Sequence, residues 1–165
     1  MSPEARRLLN PSFVANVIAA CAEGFMHEGE DVLPILYCYL VPPFILHEPT
    51  RRKVPRMITS KLSEWVKDHA EETSVFPQHV AEFQHIVGRS ILLGSHTSLL
   101  TVCDGKSIEP SEDFSYEKMA TKFKASADMT DIFKKSYFLG RWLSVSGTVP
   151  TIFSILGVHL QNAHK

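Results

Sequence analysis

Residues 77–108 read PQHVAEFQHIVGRSILLGSHTSLLTVCDGKSI, and the order of features in this stretch decides the fold. Pro77 suits the first turn of a helix, where its missing N–H would be unpaired anyway. Val80, Phe83, Ile86, Val87, Ser90 and Ile91 then share one stripe at helical spacing, which predicts a long helix to about Ser95. Leu99-Leu100-Thr101-Val102 has a strand pattern, Asp104-Gly105 is a strong tight-turn pair, and Lys106-Ser107-Ile108 is the return strand. Just upstream, Thr59 or Ser60 is placed to cap a short amphipathic helix carrying Leu62, Trp65 and Val66, and residues 71–74 read as loop. Short helix, turn, longer helix and hairpin over residues 59–109 is the order of a winged helix-turn-helix. The helix from Pro77 would be its recognition-type helix, and Cys103-Asp104-Gly105-Lys106 its wing tip.

Asn10-Pro11-Ser12-Phe13 reads as another helix start, with Asn10 as cap and Pro11 at the first helical position. Val14, Val17, Ile18, Cys21 and Phe25 follow at helical spacing, and Gly24 and Gly29 bracket the end. Asp31 caps an expected second helix with a wide apolar face of Leu33, Leu36, Tyr37, Leu40, Val41 and Phe44. Pro42-Pro43 should kink or end it. Residues 47–56 read as a polar connector held extended by Pro49 and Pro55. A short helix is expected around Tyr116 to Phe123. Asp128 or Thr130 caps the last strong helix, where Ile132, Ser136, Leu139, Gly140 and Leu143 line one face and Phe133, Tyr137 and Trp142 widen it. Gly147 stops it, Pro150 starts a final helix to Gly157, and the tail after residue 160 is expected to be loose. The whole predicts a mainly α protein: one domain over residues 1–165, with a winged-helix-like core and one small β-hairpin.

Composition narrows the function. The chain has 165 residues, 44% of them apolar, enough to bury a core without staples. Seventeen basic and 18 acidic side chains give a net charge of −1. A freestanding nucleic-acid binder usually carries a basic excess, so any DNA contact is expected to be local or shared with a partner. Cys21, Cys38 and Cys103 form no CxxC, Cys21 and Cys38 sit in apolar runs as buried thiols do, and the odd count fits a reducing cytosol. The opening residues lack a secretory signal pattern, and Val32 to Leu46 is too short to span a bilayer.

No catalytic constellation emerges. His79 and His85 are six apart and do not share a helix face as a zinc pair does; no His-Glu-x-x-His occurs. There is no Gly-x-Ser-x-Gly and no Walker-type loop, so neither a nucleophile elbow nor autonomous ATP binding is expected, and no cofactor is implied. Gly88-Arg89-Ser90 and Gly94-Ser95 are read as close-packing positions. The carboxylates at Glu28-Glu30-Asp31, Glu71-Glu72 and Glu109-Glu112-Asp113 are read as solvated capping charge. The basic run Arg51-Arg52-Lys53…Arg56 is either a solvated connector or a patch for phosphate or an acidic partner. Trp142 is either core or, with Arg141, an interface anchor, because Trp and Arg are enriched in binding hot spots. Trp65 joins Arg51, Arg52, Arg141 and Trp142 as the interface candidates.

Four segments taken together resemble one family. They are Asn10-Pro11-Ser12-Phe13; Leu33-Pro34-Ile35-Leu36 running to Leu46-His47-Glu48-Pro49-Thr50-Arg51; Leu62-Ser63-Glu64-Trp65; and Phe138-Leu139-Gly140-Arg141-Trp142 followed by Thr151-Ile152-Phe153-Ser154-Ile155-Leu156-Gly157-Val158. Their order is similar to the middle components of three-component ABC systems, the group that includes the small subunit of Lamassu anti-phage systems. The resemblance implies a cytoplasmic, non-catalytic accessory protein, without a membrane anchor. Its partners would be an SMC- or Rad50-like ABC ATPase and an effector, commonly a nuclease, with DNA met only indirectly through the complex. The small subunit would dock on the ATPase heads and help hold the effector inactive. The competing readings are a winged-helix DNA-binding transcriptional regulator and a small enzyme with a dispersed active site. The regulator is weakened by a recognition-type helix that mixes His79, Gln84, His85 and Arg89 with acidic Glu82, and by a wing whose basic residue is Lys106 alone.

Overall fold

The Asn10-Pro11 signal opens helix α1, Pro11–Gly29, as expected: the Asn10 side chain accepts a hydrogen bond from the Ser12 N–H at 2.9 Å. The computed structural model describes residues 9–159, so the readings of the opening residues and of the tail after 160 lie outside the described residues. Nine α-helices and one three-stranded antiparallel sheet make up these residues. After α1 come β1 (Leu33–Pro34), a 3-10 helix (Ile35–Leu40), α2 (Val41–Ile45) and α3 (Glu48–Lys53). Next are α4 (Leu62–Asp68), α5 (Ala70–Ser74), α6 (Phe76–His96), β2 (Leu100–Cys103) and β3 (Ser107–Pro110). The chain ends with α7 (Tyr116–Lys122), α8 (Ala127–Val145) and α9 (Val149–Leu156).

The hairpin matches its sequence signal. Asp104 and Gly105 both have positive φ, 53° and 66°, the conformation a two-residue primed turn needs. Val102 faces Ile108, and Cys103 faces Ser107. The third strand comes from outside residues 59–109: Leu33 pairs with Ile108 and Pro34 with Ser107, giving the order β1-β3-β2. Helix α1, β1, the middle helices, α6 and the hairpin follow one another along the chain, so the sheet draws on both sides of residues 35–99.

The expected second helix does not run through residues 33–44. Pro34 pushes Leu33 toward extended backbone, which suits a strand. The apolar run then winds as a 3-10 helix, and Leu40 hands over to α2. Pro42-Pro43 sits in the first turn of α2, where the absent N–H groups would have had no helical partner. The same logic corrects residues 47–56: Pro49 lies in the first turn of α3 and starts a helix there. Residues 71–74, expected as loop, lie in α5. Lys61 occupies the cap position of α4 without a side-chain hydrogen bond. Ser126, rather than Asp128 or Thr130, caps α8 by accepting from the Met129 N–H at 3.3 Å.

The core forms where α1 crosses α8. Val14, Val17, Ile18 and Cys21 meet Ile132, Phe133, Leu139 and Leu143, all buried. Two glycines allow the approach. A Cβ on Gly24 would lie 2.0 Å from the Tyr137 carbonyl oxygen, and one on Gly140 would lie 1.9 Å from that of Cys21. Buried Ser136 Oγ donates to the Val17 carbonyl at 2.7 Å across the same crossing. Burial also pushes the Cys21 and Cys38 thiols up, so both behave as small apolar side chains. No helix among the described residues is long and apolar enough to cross a membrane.

Candidate interaction surface

The basic run divides by helical geometry. On α3, successive side chains point about 100° apart, so neighbours in sequence meet different surroundings. Arg51 faces inward and is 4% exposed. Its Nε donates to Asp131 Oδ2 at 3.0 Å and its Nη1 to the Ile45 carbonyl at 2.7 Å, with Asp128 at 3.8 Å. It fastens α3 to the first turn of α8. Arg52 faces solvent and pairs with Glu48 one turn back, and Lys53 pairs with Glu72. Neither Arg51 nor an extended connector therefore offers a continuous basic strip.

The two tryptophans lie together under this region. Trp142 has no exposed surface and Trp65 is buried. Their ring centroids are 5.6 Å apart, and Phe44 contacts both rings, at 6.0 Å and 5.5 Å. The structure thus seats Trp142 in the core, the first of its two sequence readings. The indole N–H groups reach the backbone: Trp65 Nε1 donates to the Lys53 carbonyl and Trp142 Nε1 to the Ser60 carbonyl, each at 2.8 Å. Both ends of the 54–60 loop are thereby pinned from below. Arg141, half-buried on the next position of α8, points the other way and pairs with Glu28 at 3.1 Å. The five candidates therefore fall at three places in the fold: Trp65 and Trp142 together, Arg51 and Arg52 on opposite faces of α3, and Arg141 apart.

What the pinned loop presents is a cleft of about 380 Å³ between Ile58, Lys61 and Ser63 on one wall and Val145 and Ile155 on the other. A second hollow continues it along α4 past Val66 and Lys67. Val145 on its wall is 51% exposed, and Met57, the chain neighbour of Ile58, is 65% exposed. A separate depression lies on the solvent face of α6, between Tyr39, Ala81, His85, Gly88 and Leu92. Gly88 corrects the packing expectation: a Cβ there would meet nothing within 4 Å. Gly94 keeps that role, since its Cβ would lie 2.7 Å from Leu100 Cδ1.

A family model, the ABC-three component (ABC-3C) system Middle Component 3, matches residues 1–160. The chain belongs to this family. No curated protein and no solved structure matches it. As a middle component it is one part of a three-component ABC system. The Gly140-Arg141-Trp142 run of this middle component serves three purposes on one helical turn: close crossing with α1, an ion pair to Glu28, and support of the 54–60 loop.

Two further clusters in the middle component escaped the sequence reading, because their members are far apart in the chain. The rings of His47 and His79 lie against each other, tilted by 54° with centroids 4.5 Å apart, and His47 Nδ1 hydrogen-bonds Thr50 Oγ1 at 2.7 Å. Burial, and then the His79 neighbour, hold His47 below its ordinary pKa, with Glu72 opposing them. Buried His79 Nδ1 has no hydrogen-bond partner among the described residues. On the opposite side, Tyr116 stacks on Tyr137 at 3.8 Å, the Tyr137 hydroxyl bonds His27, and Glu23 accepts from the Tyr116 N–H at 2.8 Å. Burial raises the pKa of Glu23 and of both tyrosines, and the cluster joins α7 to α1 and α8 by stacking and hydrogen bonds. No group of three His, Cys, Asp or Glu among the described residues is placed to hold a metal ion.

Proposed function

We propose that this middle component is a non-catalytic, cytoplasmic accessory subunit of an anti-phage defence complex of the Lamassu kind. It docks on an SMC- or Rad50-like ABC ATPase and helps to hold an effector, a nuclease, inactive until release. The observation that carries this reading is the family match over residues 1–160. The polar chemistry of the fold agrees with it. Its buried charges and indoles serve to fasten helices and a loop, as with Arg51 on Asp131 and Trp142 on Ser60. The exposed apolar side chains Met57 and Val145, with the cleft beside them, leave surface for another protein.

The winged-helix order of elements favours a second reading, a DNA-binding regulator. Its electrostatics are weak: α6 carries Arg89 as its one Lys or Arg, and non-specific DNA affinity comes mainly from cations neutralising phosphates. Affinity purification of the tagged full chain from its native cells, with mass spectrometry of what co-purifies, tests the proposal. Recovery of an ABC-type ATPase with a nuclease-like protein is the expected result. Recovery of the chain alone, together with a gel shift of DNA by the purified chain, would replace the accessory subunit with the regulator.

A further inference from the structure

The surface that the fold leaves uncovered differs in chemistry from one side to the other. Around the cleft under the 54–60 loop, the apolar lining is Ile58, Val145 and Ile155. Two lysines line the hollows. Lys61 and Lys67 are both exposed, and neither takes part in an ion pair with a described carboxylate. This distinguishes them from Arg51, Arg52, Lys53 and Arg141, which are all paired. Glu64 is the one acid that lines these hollows, so the lining keeps a positive surplus.

The cleft is elongated and shallow. Its two hollows share Ser63 and Ile155 and run along α4 between Lys61 and Lys67. Six helical residues cover roughly 9 Å, more than one turn of a partner helix. The walls are also rigid, since both indole hydrogen bonds fix the loop before anything binds. A preformed wall lowers the ordering cost of association. Nucleic acid would leave the apolar floor unused. An amphipathic helix uses both parts at once, with its apolar ridge on the floor and its flanking carboxylates on the lysines.

We infer that the cleft between the 54–60 loop, α4 and the α8–α9 turn receives an amphipathic, acid-flanked helix of the ABC ATPase of the complex. This rests on the proposed function, since it assumes that such a partner exists. The test uses the tagged full chain in its native cells, with ATPase recovery quantified for the wild type, Val145→Glu and the double variant Lys61→Glu/Lys67→Glu. All three positions are exposed, so circular dichroism should show wild-type helicity for each variant. Recovery should fall about tenfold or more in both variants, and the surviving complex of the lysine variant should be less sensitive to salt than wild type. A photo-crosslinker, p-benzoylphenylalanine, in place of Val145 should label an acidic helical segment of the ATPase. Labelling of a second copy of this chain or of DNA, or full ATPase recovery by both variants, would overturn the docking site and leave the proposed function standing. Failure of the wild-type chain to recover any second component would remove both.

Discussion

Replacing Gly140 with alanine adds one methyl group where α1 and α8 cross. That methyl would lie 1.9 Å from the Cys21 carbonyl oxygen and 2.7 Å from the Phe25 nitrogen. Both obstacles are backbone, so no side chain can swing aside. Non-bonded heavy atoms rest at about 3.5 Å, and the helices must therefore part by roughly 1.5 Å. A radial gap of ~0.5–1 Å already forfeits a quarter to a half of each dispersion contact. The affected contacts include Val17, Ile18 and Cys21 against Leu139 and Leu143, and the Ser136–Val17 hydrogen bond lengthens with them. Overpacking of this kind costs up to about 3 kcal/mol and a lost hydrogen bond about 1, while alanine's better helix propensity returns about 1. The net loss is about 3 kcal/mol, or a Tm lower by roughly 6–12 °C for a chain of this length. Urea unfolding followed by circular dichroism measures it. Gly88→Ala is the internal control: its methyl meets nothing within 4 Å, so it should gain about 1 kcal/mol. A Gly140→Ala protein as stable as wild type, alongside a normal Gly88→Ala, would refute the close crossing.

Arg51→Lys keeps the charge but cannot present the guanidinium fork to Asp131 and Ile45 together. It should lose about 1.5–3 kcal/mol in urea unfolding, and a variant as stable as wild type would show that the fork carries no weight. Trp142→Phe leaves the Ser60 carbonyl without its donor, at a cost of about 1–3 kcal/mol. Amide hydrogen exchange over residues 57–62 should quicken in that variant, and unchanged exchange would remove the indole from its loop-holding role. His47 is held below its ordinary pKa, so the unfolded chain takes up that proton first and native stability falls as pH drops. The contribution is complete above the ordinary value of 6.5 and is lost as pH falls toward the depressed native value. His47→Gln should flatten this part of the stability-against-pH curve, and an unaltered slope would place the titration elsewhere.

Much of the fold could be read locally, wherever one short signal suffices. Asn10-Pro11 marks α1, the α6 stripe gives its length, and Asp104-Gly105 gives the hairpin its turn. The misreadings occur where a distant partner decides. Leu33, Leu36 and Leu40 are spaced as on an α-helix, yet Leu33 is captured as a strand by Ile108, 75 residues away, and the remainder tightens to a 3-10 helix. Arg51 looks like its neighbours in a basic run, and only Asp131 on α8 reveals that it is inside. Trp65 and Trp142 were legible as important residues, but the indole bonds to Lys53 and Ser60 depend on a loop that the sequence pattern does not describe. The cleft joins the 58–67 stretch to Val145 and Ile155, and no periodicity links such segments. Gly88 and Gly94 are alike in sequence and opposite in setting, one facing open space and the other facing Leu100.

The seat that Gly24 and Gly140 make for one another has a consequence during synthesis. Helix α1 leaves the ribosome before the helix that covers it, which follows 116 residues later by position number. At about 5–20 residues per second, that delay is roughly 6–23 s. Through this interval the Val14, Val17, Ile18 and Cys21 face of α1 lacks its final cover. A chain released before α8 would carry that face permanently bare, a substrate for chaperones and proteases rather than a shorter version of the protein.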